Sequence, residues 1–298
     1  MSSLAPETTY YYQAVIELGG KEYRGEVKSF TTLQEEQSQN TLGWLELPAA
    51  SSGSNFFTES LGDGPSRNYS YLYDKTRYAS LWEAYPLTKS HLSGDGGGSW
   101  SYNPHIDQDL QINVKSSSYG SNYNASDYSR GHLVPAADRK ESGKSQQVYY
   151  LTNQVPQLQN KFNDGIWNSL EGAVRALTNS TDTVYVVTGV CFRKVGGSET
   201  IKTLTASSSL IKPASIPVAN YFYKVILKVK RSGTTITSAS TIGFWLEHKT
   251  YDSDSYSKYA VSVDQIEVWT GFDFFANLPD NIESAAETNT SWTSFQNF

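Results

Sequence analysis

The sequence predicts an α+β fold with a central, largely antiparallel sheet and helices on its flanks. Strand-like alternation recurs along most of the chain, whereas the best-marked helical spacing of apolar residues lies at 162–177. The composition agrees, because Tyr, Ser, Thr and Asn are abundant while charged residues make up only 18% of the chain. With 38% hydrophobic and 13% aromatic residues among 298, the chain can bury one large core.

Charge and cysteine content narrow the class of protein. The net charge of -6 argues against a general polyanion-binding surface, although a local basic groove remains possible. Cys191 is the only cysteine, so the chain has no internal disulfide framework, and its apolar surroundings predict a buried thiol. No run of 18 apolar residues occurs, so we expect no membrane-spanning helix.

The N-terminal segment predicts a β-hairpin around Gly19-Gly20, because strand-like alternation flanks this glycine pair on both sides. "LAPETTYYY" and the later "SFTT" make the segment similar to the last two strands of a fibronectin type III domain. We therefore predict such strands at 1–33, a polar linker at 34–41 and the main domain at 42–298.

Several further elements are predicted in the main domain. Residues 69–87 alternate around Asp74-Lys75-Thr76 and indicate a second hairpin, and the glycine-rich stretch 94–100 indicates a loop. The remaining predicted strands or mixed elements are 148–152, 183–192, 219–229, 234–246 and 259–269.

His132 is the histidine with the most reactive setting. It lies in "SRGHLVP", two residues after Arg130, with Gly131 allowing tight backbone geometry between them. The nearby guanidinium disfavours the imidazolium, and a neutral imidazole is the form that acts as a general base. A purely structural histidine is the alternative interpretation.

The predicted helix 162–177 carries a polar stripe beside its apolar face. Asn163, Trp167, Glu171 and Arg175 are spaced four residues apart. The amide oxygen of Asn163 could reach a metal ion, and one oxygen ligand with several waters suits Mg²⁺. Glu171 lies roughly 12 Å further along the axis, so we expect it to orient a water or an arginine. Arg175 can pair with Glu171, although an ordinary solvated helix face would look similar.

Together these motifs resemble the DNA/RNA non-specific endonuclease family of the ββα-metal superfamily. That family carries an aspartate-arginine-glycine-histidine motif, followed by an asparagine-proline-glutamine segment and a helix. The matching stretches here are "SRGH" at 129–132, then "NQVPQ" at 153–157, then "NDGIWNSLE" at 163–171. The resemblance covers roughly residues 42–298 and implies a ββα-metal nuclease fold.

The resemblance also implies catalytic roles. His132 would be the general base that activates water, and Arg130 would contact the phosphate or the transition state. Asn163 would be the only protein ligand of a hydrated Mg²⁺, with Mn²⁺ or another divalent cation as a substitute. Glu171 and Arg175 would support the site.

The resemblance also implies supporting roles for Asn153 and Ser129, and the sequence departs from the family's motifs by lacking an aspartate and an arginine. Asn153 matches a further polar residue beside the metal. Ser129 stands where the motif has aspartate, as a supporting residue that can still make a hydrogen bond. The arginine that often follows a "W.AY" segment is absent, since "LWEAYPLTK" has Pro86 there, with Lys89 as a possible replacement.

These observations predict a secreted or cell-envelope-associated, bacterial-type endonuclease that acts on DNA and RNA, with its signal region outside this chain. Its activity should fall below about pH 6 if the base keeps its reference pKa of about 6.5. One alternative is a catalytically weak or inactive surface module that binds nucleic acid or glycan. Another is a metal-dependent phosphodiesterase for small nucleotides.

Overall fold

The computed structural model describes residues 8–31, 43–62, 66–115, 117–119, 128–141, 143–195 and 201–298. The chain divides into two compact units, 1–44 and 45–298. The linker predicted at 34–41 lies outside the described residues.

The first unit contains the predicted hairpin. Strands β1 (Thr9–Leu18) and β2 (Lys21–Thr31) pair antiparallel. Gly19 and Gly20 connect them with φ of 60° and 75°, a backbone region that favours glycine and matches the twist of a two-residue hairpin turn. The likeness of this hairpin to a fibronectin type III domain stays a prediction.

The second unit is built from further strands that form sheets. In chain order they are β3 (Phe56–Leu61), β4 (Tyr69–Asp74), β5 (Ala79–Leu87), β6 (Tyr128–His132), β7 (Gln154–Leu158), β8 (Val184–Cys191), β9 (Lys202–Thr205), β10 (Ser215–Val218), β11 (Tyr221–Ser232), β12 (Thr235–Glu247) and β13 (Ala260–Val261).

Within the described residues, seven of these strands form one antiparallel sheet in the order β13-β12-β11-β8-β5-β4-β3. Strands β6 and β7 form a separate antiparallel pair, as do β9 and β10. The predicted α+β class with a central antiparallel sheet is therefore confirmed.

Side-chain alternation along β11 shows how the sheet separates two cores. Phe222 and Ile226 belong to a first core on one face, together with Trp167. Tyr223 and Val225 belong to a second core on the opposite face. Because strand side chains alternate with a period of two, one apolar strand supplies both cores. Cys191 is buried in the second core, as predicted.

The α-helices of the described residues are short and cover the sheet. They are α1 (Asn168–Ala176), α2 (Val263–Thr270), α3 (Asp280–Ala286) and α4 (Trp292–Gln296). The β6–β7 pair leads into α1 through the irregular turns of Gln159–Trp167. This β-β-α succession is the unit that the sequence predicts around His132. No helix in the described part of the chain has the length and apolarity needed to cross a bilayer.

Three predicted elements differ in the structure. The helix predicted at 162–177 becomes regular only at Asn168, because Gly165 has the non-helical angles φ -113° and ψ -113°. The strand predicted at 148–152 is wrong, since 3₁₀ turns occupy Gln147–Tyr149 and Leu151–Asn153. The segment 259–269 is mainly helix α2, whose start is capped by the Ser262 side chain accepting from the Gln265 N–H.

The centre of the sheet depends on a glycine in β8. A Cβ atom at Gly189 would lie far inside van der Waals contact with the Leu81 carbonyl and the Tyr223 hydroxyl. Overpacking of a rigid core costs roughly 1–3 kcal/mol. We therefore expect Gly189→Ala to lower the free energy of unfolding by about that amount in urea titrations.

Gly172→Ala is the matched control, because a Cβ at this exposed α1 position meets no atom within 4 Å. It should raise stability by roughly 0.5–1 kcal/mol through helix propensity. Equal stability of the two variants would contradict this account of the core.

Candidate active site

The β6–β7 pair presents the residues of the first motif. Ser129 lies opposite Gln157, and His132 lies opposite Gln154. The two-residue period of a strand puts Arg130 and His132 on the same side of β6. Gly131 faces the other way, where a Cβ atom would clash with the Gln157 side chain. The glycine of the motif is therefore required by packing.

His132 lies among aromatic rings. Its ring centroid is 4.5 Å from that of Trp100 and 5.1 Å from that of Tyr149. The Nε2 atom is buried and has no hydrogen-bond partner among the described residues. Burial first, and then the Arg130 charge, lower the pKa of His132 to about 4. The imidazole is therefore neutral at pH 7, with its Nε2 unpaired among the described residues.

Arg130 lies above the same tryptophan. Its guanidinium carbon is 5.1 Å from the Trp100 ring centroid, a cation–π distance. Trp100 thus contacts both Arg130 and His132. The sequence alone did not identify this tryptophan. The one feature of the sequence that could have pointed to Trp100 is its position at the end of the glycine-rich loop. In that loop, a Cβ atom at Gly98 would clash with the Tyr149 ring.

Asn163 is oriented by a hydrogen-bond relay, which we define as Gln157–Ser129–Asn163. The Ser129 hydroxyl donates to the Gln157 carbonyl oxygen at 3.2 Å. The same hydroxyl oxygen accepts from Asn163 Nδ2 at 3.1 Å, and Gln159 Oε1 accepts from that amide group at 3.1 Å. Both N–H bonds of the Asn163 amide are thereby used, and Oδ1 must face away from these acceptors.

The relay makes Asn163 a suitable oxygen donor for a hard divalent cation. A neutral amide oxygen with water ligands is compatible with Mg²⁺, which keeps most of its hydration shell in proteins. Ser129 supplies the acceptor that the amide needs, so the departure from aspartate preserves the orientation of Asn163. The orphaned His132 Nε2 also fits a site that receives a water or substrate oxygen.

Asn153 has a structural role. Its Oδ1 accepts from the Leu133 and Val134 N–H groups at 3.1 and 2.8 Å. Its Nδ2 donates to the carbonyls of Val134 and Val148 at 3.0 and 2.7 Å. The side chain is fully buried, and its amide is saturated by backbone. These bonds hold the turn after His132 and leave no free amide oxygen for a metal, so the supporting role of Asn153 stays a prediction.

Glu171 and Arg175 belong to a partly buried charge cluster. Arg175 Nη1 is 3.8 Å from Glu171 Oε2 and 2.8 Å from Asp138 Oδ1. Asp138 Oδ2 also accepts from the Tyr85 hydroxyl at 2.9 Å. Burial raises the pKa of Glu171 above its usual range, and the Lys224 charge opposes that shift. No hydrogen bond or ion pair within the described ranges joins Glu171 to His132 or Asn163.

Two members of that cluster were missed from the sequence. Asp138 follows His132 by six residues in "HLVPAADR". Lys224 interrupts the apolar run of β11, donates to Thr188 Oγ1 at 3.1 Å and lies 4.7 Å from the Trp167 ring centroid. A lysine inside a buried strand was the available signal, because an ammonium group is buried only where partners receive it.

Pro86 and Lys89 stand where the family often has an arginine and three residues further on. Pro86 lies in β5, where its carbonyl accepts from Arg139 Nη2 at 2.7 Å. Lys89 is exposed and lines a surface depression beside α1 with Gly172 and Asn179. The suggested replacement of the missing arginine by Lys89 therefore has no support from these contacts.

A polar cleft begins beside the first motif. It has a volume of about 250 Å³, and its lining includes Tyr128, Lys194, Lys202, Glu247 and His248. Tyr128 precedes Ser129 and shares the face of β6 that carries Arg130. Despite the net charge of -6, two lysines therefore line a cleft that starts at the motif strand.

The family model described as DNA/RNA non-specific endonuclease matches residues 53–281 of the chain. That range includes every residue of the site described above.

Named relatives agree with the family match. A mitochondrial nuclease EXOG from Danio rerio is 29% identical over 260 residues, which cover 82% of this chain and 69% of the relative. A nuclease from Nostoc sp. is 28% identical over 230 residues, which cover 74% of this chain and 75% of the relative. Mitochondrial endonuclease G from Bos taurus is 30% identical over 164 residues, which cover 54% of this chain and 52% of the relative.

A solved structure shares the fold. The crystal structure of an EndoG/EndoGI complex matches with a TM-score of 0.62 and 21% sequence identity, covering 77% of this chain and 91% of that chain. This likeness supports the architecture of the described residues.

The saturated amide of Asn153 generates a stability prediction. Asn153→Ala removes four hydrogen bonds and leaves buried backbone groups unpaired, at roughly 1 kcal/mol for each bond. We expect chemical denaturation to show a loss of about 2–4 kcal/mol. Asn179→Ala, at an exposed position of the same residue type, should change stability by less than about 0.5 kcal/mol. A similar small effect for both variants would refute the role of Asn153.

Proposed function

The chain belongs to the DNA/RNA non-specific endonuclease family, and we propose that it is a divalent-metal-dependent enzyme that cleaves phosphodiester bonds within both DNA and RNA. The observation that carries this proposal is the relay that leaves Asn163 Oδ1 as a donor next to the strand of His132. Family membership makes the protein an endonuclease, and the roles of individual residues are the proposed part.

Mg²⁺ is the proposed cofactor, and Mn²⁺ would replace it. When bound, the cation would offset charge on a phosphate oxygen and on the leaving 3′ oxygen. Asn163 would be its only protein ligand, with waters filling the other positions. The neutral amide and the absence of a carboxylate hydrogen-bonded to it in the described region favour a weakly held, hydrated ion.

His132 is the proposed general base. Its neutral imidazole would accept a proton at Nε2 from the water whose oxygen attacks phosphorus. The P–O3′ bond would then break and the leaving 3′ oxygen would take a proton from a solvent water, which gives a 5′-phosphate and a 3′-hydroxyl. The buried, unpaired Nε2 supports this role, because a buried ring nitrogen requires a hydrogen-bond partner and a water would provide one.

Arg130 is proposed to contact the phosphate. Its guanidinium lies on Trp100, which leaves its N–H edges available to a phosphate oxygen while the ring limits its motion. Glu171 and Arg175 are proposed as positioning residues. Arg175 is engaged by Asp138 and Glu171, so its charge stabilises the position of α1 near Asn163.

DNA and RNA are the proposed substrates. Lys194 and Lys202 line the cleft that begins at Tyr128, and cations there can bind phosphates of an extended strand. Contacts to phosphate carry no base information, so low sequence specificity and tolerance of both sugars would follow.

Export remains part of the proposal. The strand-rich composition with few charged residues favours a secreted or envelope-associated protein. The relatives named above include mitochondrial nucleases and a nuclease from Nostoc sp., so they do not favour one compartment. Fractionation of cells that express the natural gene would test this point.

Digestion of circular plasmid DNA and of RNA with Mg²⁺ or EDTA tests the proposed function. We expect opening of the plasmid circle only with metal, since an exonuclease needs an end. His132→Ala should reduce the rate by about 10²–10⁴-fold, the usual contribution of general acid–base catalysis. Asn163→Ala should raise the Mg²⁺ concentration needed for half-maximal rate. His105→Ala and Asn179→Ala are controls that keep activity.

The outcomes separate the alternatives. Metal-independent cleavage, or full activity of His132→Ala, would overturn the mechanism. Gel-shift binding without cleavage would favour the inactive binding module. Cleavage of a p-nitrophenyl nucleotide ester without cleavage of polymers would favour a small-nucleotide phosphodiesterase.

The pH dependence follows from the environment of His132. Because its pKa is lowered to about 4, kcat/KM should fall only as the pH drops through that region, well below the pH of about 6 expected from sequence. Arg130→Gln should lower the rate and also move this limb upward, since removing a cation favours the imidazolium. An acid limb near pH 6.5 in the parent enzyme would contradict the buried, neutral histidine.

A further inference from the structure

A second oxygen-rich cluster lies at the junction of α2 and α3. We define the acidic cluster as Asp264, Glu267 and Glu287. Each residue offers one carboxylate oxygen, and the three oxygens lie within 4.8 Å of one another. Oxygens that share one Ca²⁺ ion can be no further apart than about 5 Å, twice the metal–oxygen distance. The cluster meets that limit.

Burial distinguishes this cluster from an ordinary acidic surface. Glu287 is only 6% exposed, and its Oε1 atom is buried without a hydrogen-bond partner among the described residues. Glu283 Oε1, one turn earlier, is buried in the same unpaired way. None of the ion pairs found in the described part of the chain involves these carboxylates. The unpaired oxygen of Glu287 therefore lies in a group of anions with no protein cation to balance them.

Electrostatic repulsion makes the cluster unfavourable when it is fully ionised and empty. Burial first, and then Glu267, Glu283 and Asp264, raise the pKa of Glu287 to about 9. Burial and Asp273 raise the pKa of Glu267 to about 7, against the lowering effect of the Phe274 N–H. The carboxylates must either hold protons or share a cation.

Backbone contacts hold the cluster in place. The Val263 N–H donates to the Glu287 carbonyl at 3.0 Å, which ties the start of α2 to the end of α3. Thr241 on β12 donates through its hydroxyl to the Ala286 carbonyl at 2.8 Å. Glu267 Oε1 accepts from the Phe274 N–H at 2.7 Å. The ligand atoms are therefore positioned by the fold before any ion arrives.

The acidic cluster is separate from the nuclease site. Helix α2 packs through Val263 and Ile266 into the second core. Trp167 and Phe162, which neighbour Asn163, belong to the first core on the opposite face of the sheet. An ion at the cluster would act on the α2–α3 junction and would not touch the proposed catalytic residues.

We propose that Asp264, Glu267 and Glu287 bind a structural Ca²⁺ ion that joins α2 to the end of α3. Ca²⁺ accepts six to eight oxygen ligands in flexible geometry, so exposed Asp264 can share the ion with waters while Glu287 closes its buried side. Mg²⁺ is the poorer fit, because it requires a tight octahedron and rarely uses a cage of carboxylates. The proposal does not depend on nuclease activity.

Terbium luminescence in the full-length Asn163→Ala protein tests the site, since that substitution removes the proposed catalytic ligand. Tb³⁺ replaces Ca²⁺ chemically, and Trp269 on α2 can sensitise its emission. We expect a luminescence signal that Ca²⁺ displaces and that Mg²⁺ displaces far less well. Glu287→Gln and Asp264→Asn should each weaken Tb³⁺ binding at least tenfold, whereas Asp182→Asn, an exposed control, should not.

Thermal unfolding gives an independent test, because the effect of Ca²⁺ on Tm is compared within each variant. A substitution that changes stability by itself does not affect that comparison. Ca²⁺ should raise the Tm of the parent and of Asp182→Asn, but not that of Glu287→Gln. In EDTA, the Tm of Glu287→Gln should equal or exceed that of the parent, because the substitution removes repulsion between the carboxylates of the cluster. Absence of both the Tb³⁺ signal and the Ca²⁺-dependent rise in Tm would show an acidic cluster that only shares protons, and would overturn the proposal. Persistence of both in Glu287→Gln would also overturn it.

Discussion

The hydrogen-bond relay from Gln157 through Ser129 to Asn163 is the constraint on which the proposed site depends. The hydroxyl proton is used on the Gln157 carbonyl, so the same oxygen can only accept from the amide. With Gln159 as a second acceptor, the two hydrogen bonds contribute about 2 kcal/mol, which favours this amide orientation by roughly thirtyfold. A reversed amide would place its oxygen against two acceptors. One serine thus connects the β6–β7 pair with the turn that precedes α1 and determines which atom of Asn163 is free.

A partly buried group of charged residues also stabilises that arrangement. Asp138 and Arg175 form a close pair between the segment after His132 and helix α1. Lys224 reaches the same group from the central sheet. Buried ion pairs add little net stability, because desolvation offsets the attraction. Their geometry is nevertheless demanding, so their contribution here is to fix α1 relative to the β6–β7 pair that carries the base.

The sequence was sufficient for the architecture and for proposing site residues, but it did not point to Trp100, Asp138 or Lys224, which surround them in the structure. Alternation with a period of two revealed the long strands, and the glycine pair revealed the first hairpin. Helical spacing could not show the break at Gly165, because apolar periodicity continues across it. The low pKa of His132 depends on burial beside Trp100 and Tyr149, which approach from other segments of the chain. Such burial has no local signature, so the reference pKa predicts an acid limb at a higher pH than the buried environment does.

The central claim is that Asn163 Oδ1 faces a hydrated divalent ion beside His132. Anomalous diffraction from crystals grown with Mn²⁺ tests it most directly, because the scattering identifies the metal itself. The account predicts an anomalous peak about 2.1 Å from Asn163 Oδ1, with waters as the remaining ligands and no other protein atom in contact. A peak coordinated directly by Glu171, or no peak at Asn163 while the crystals diffract well, would contradict it.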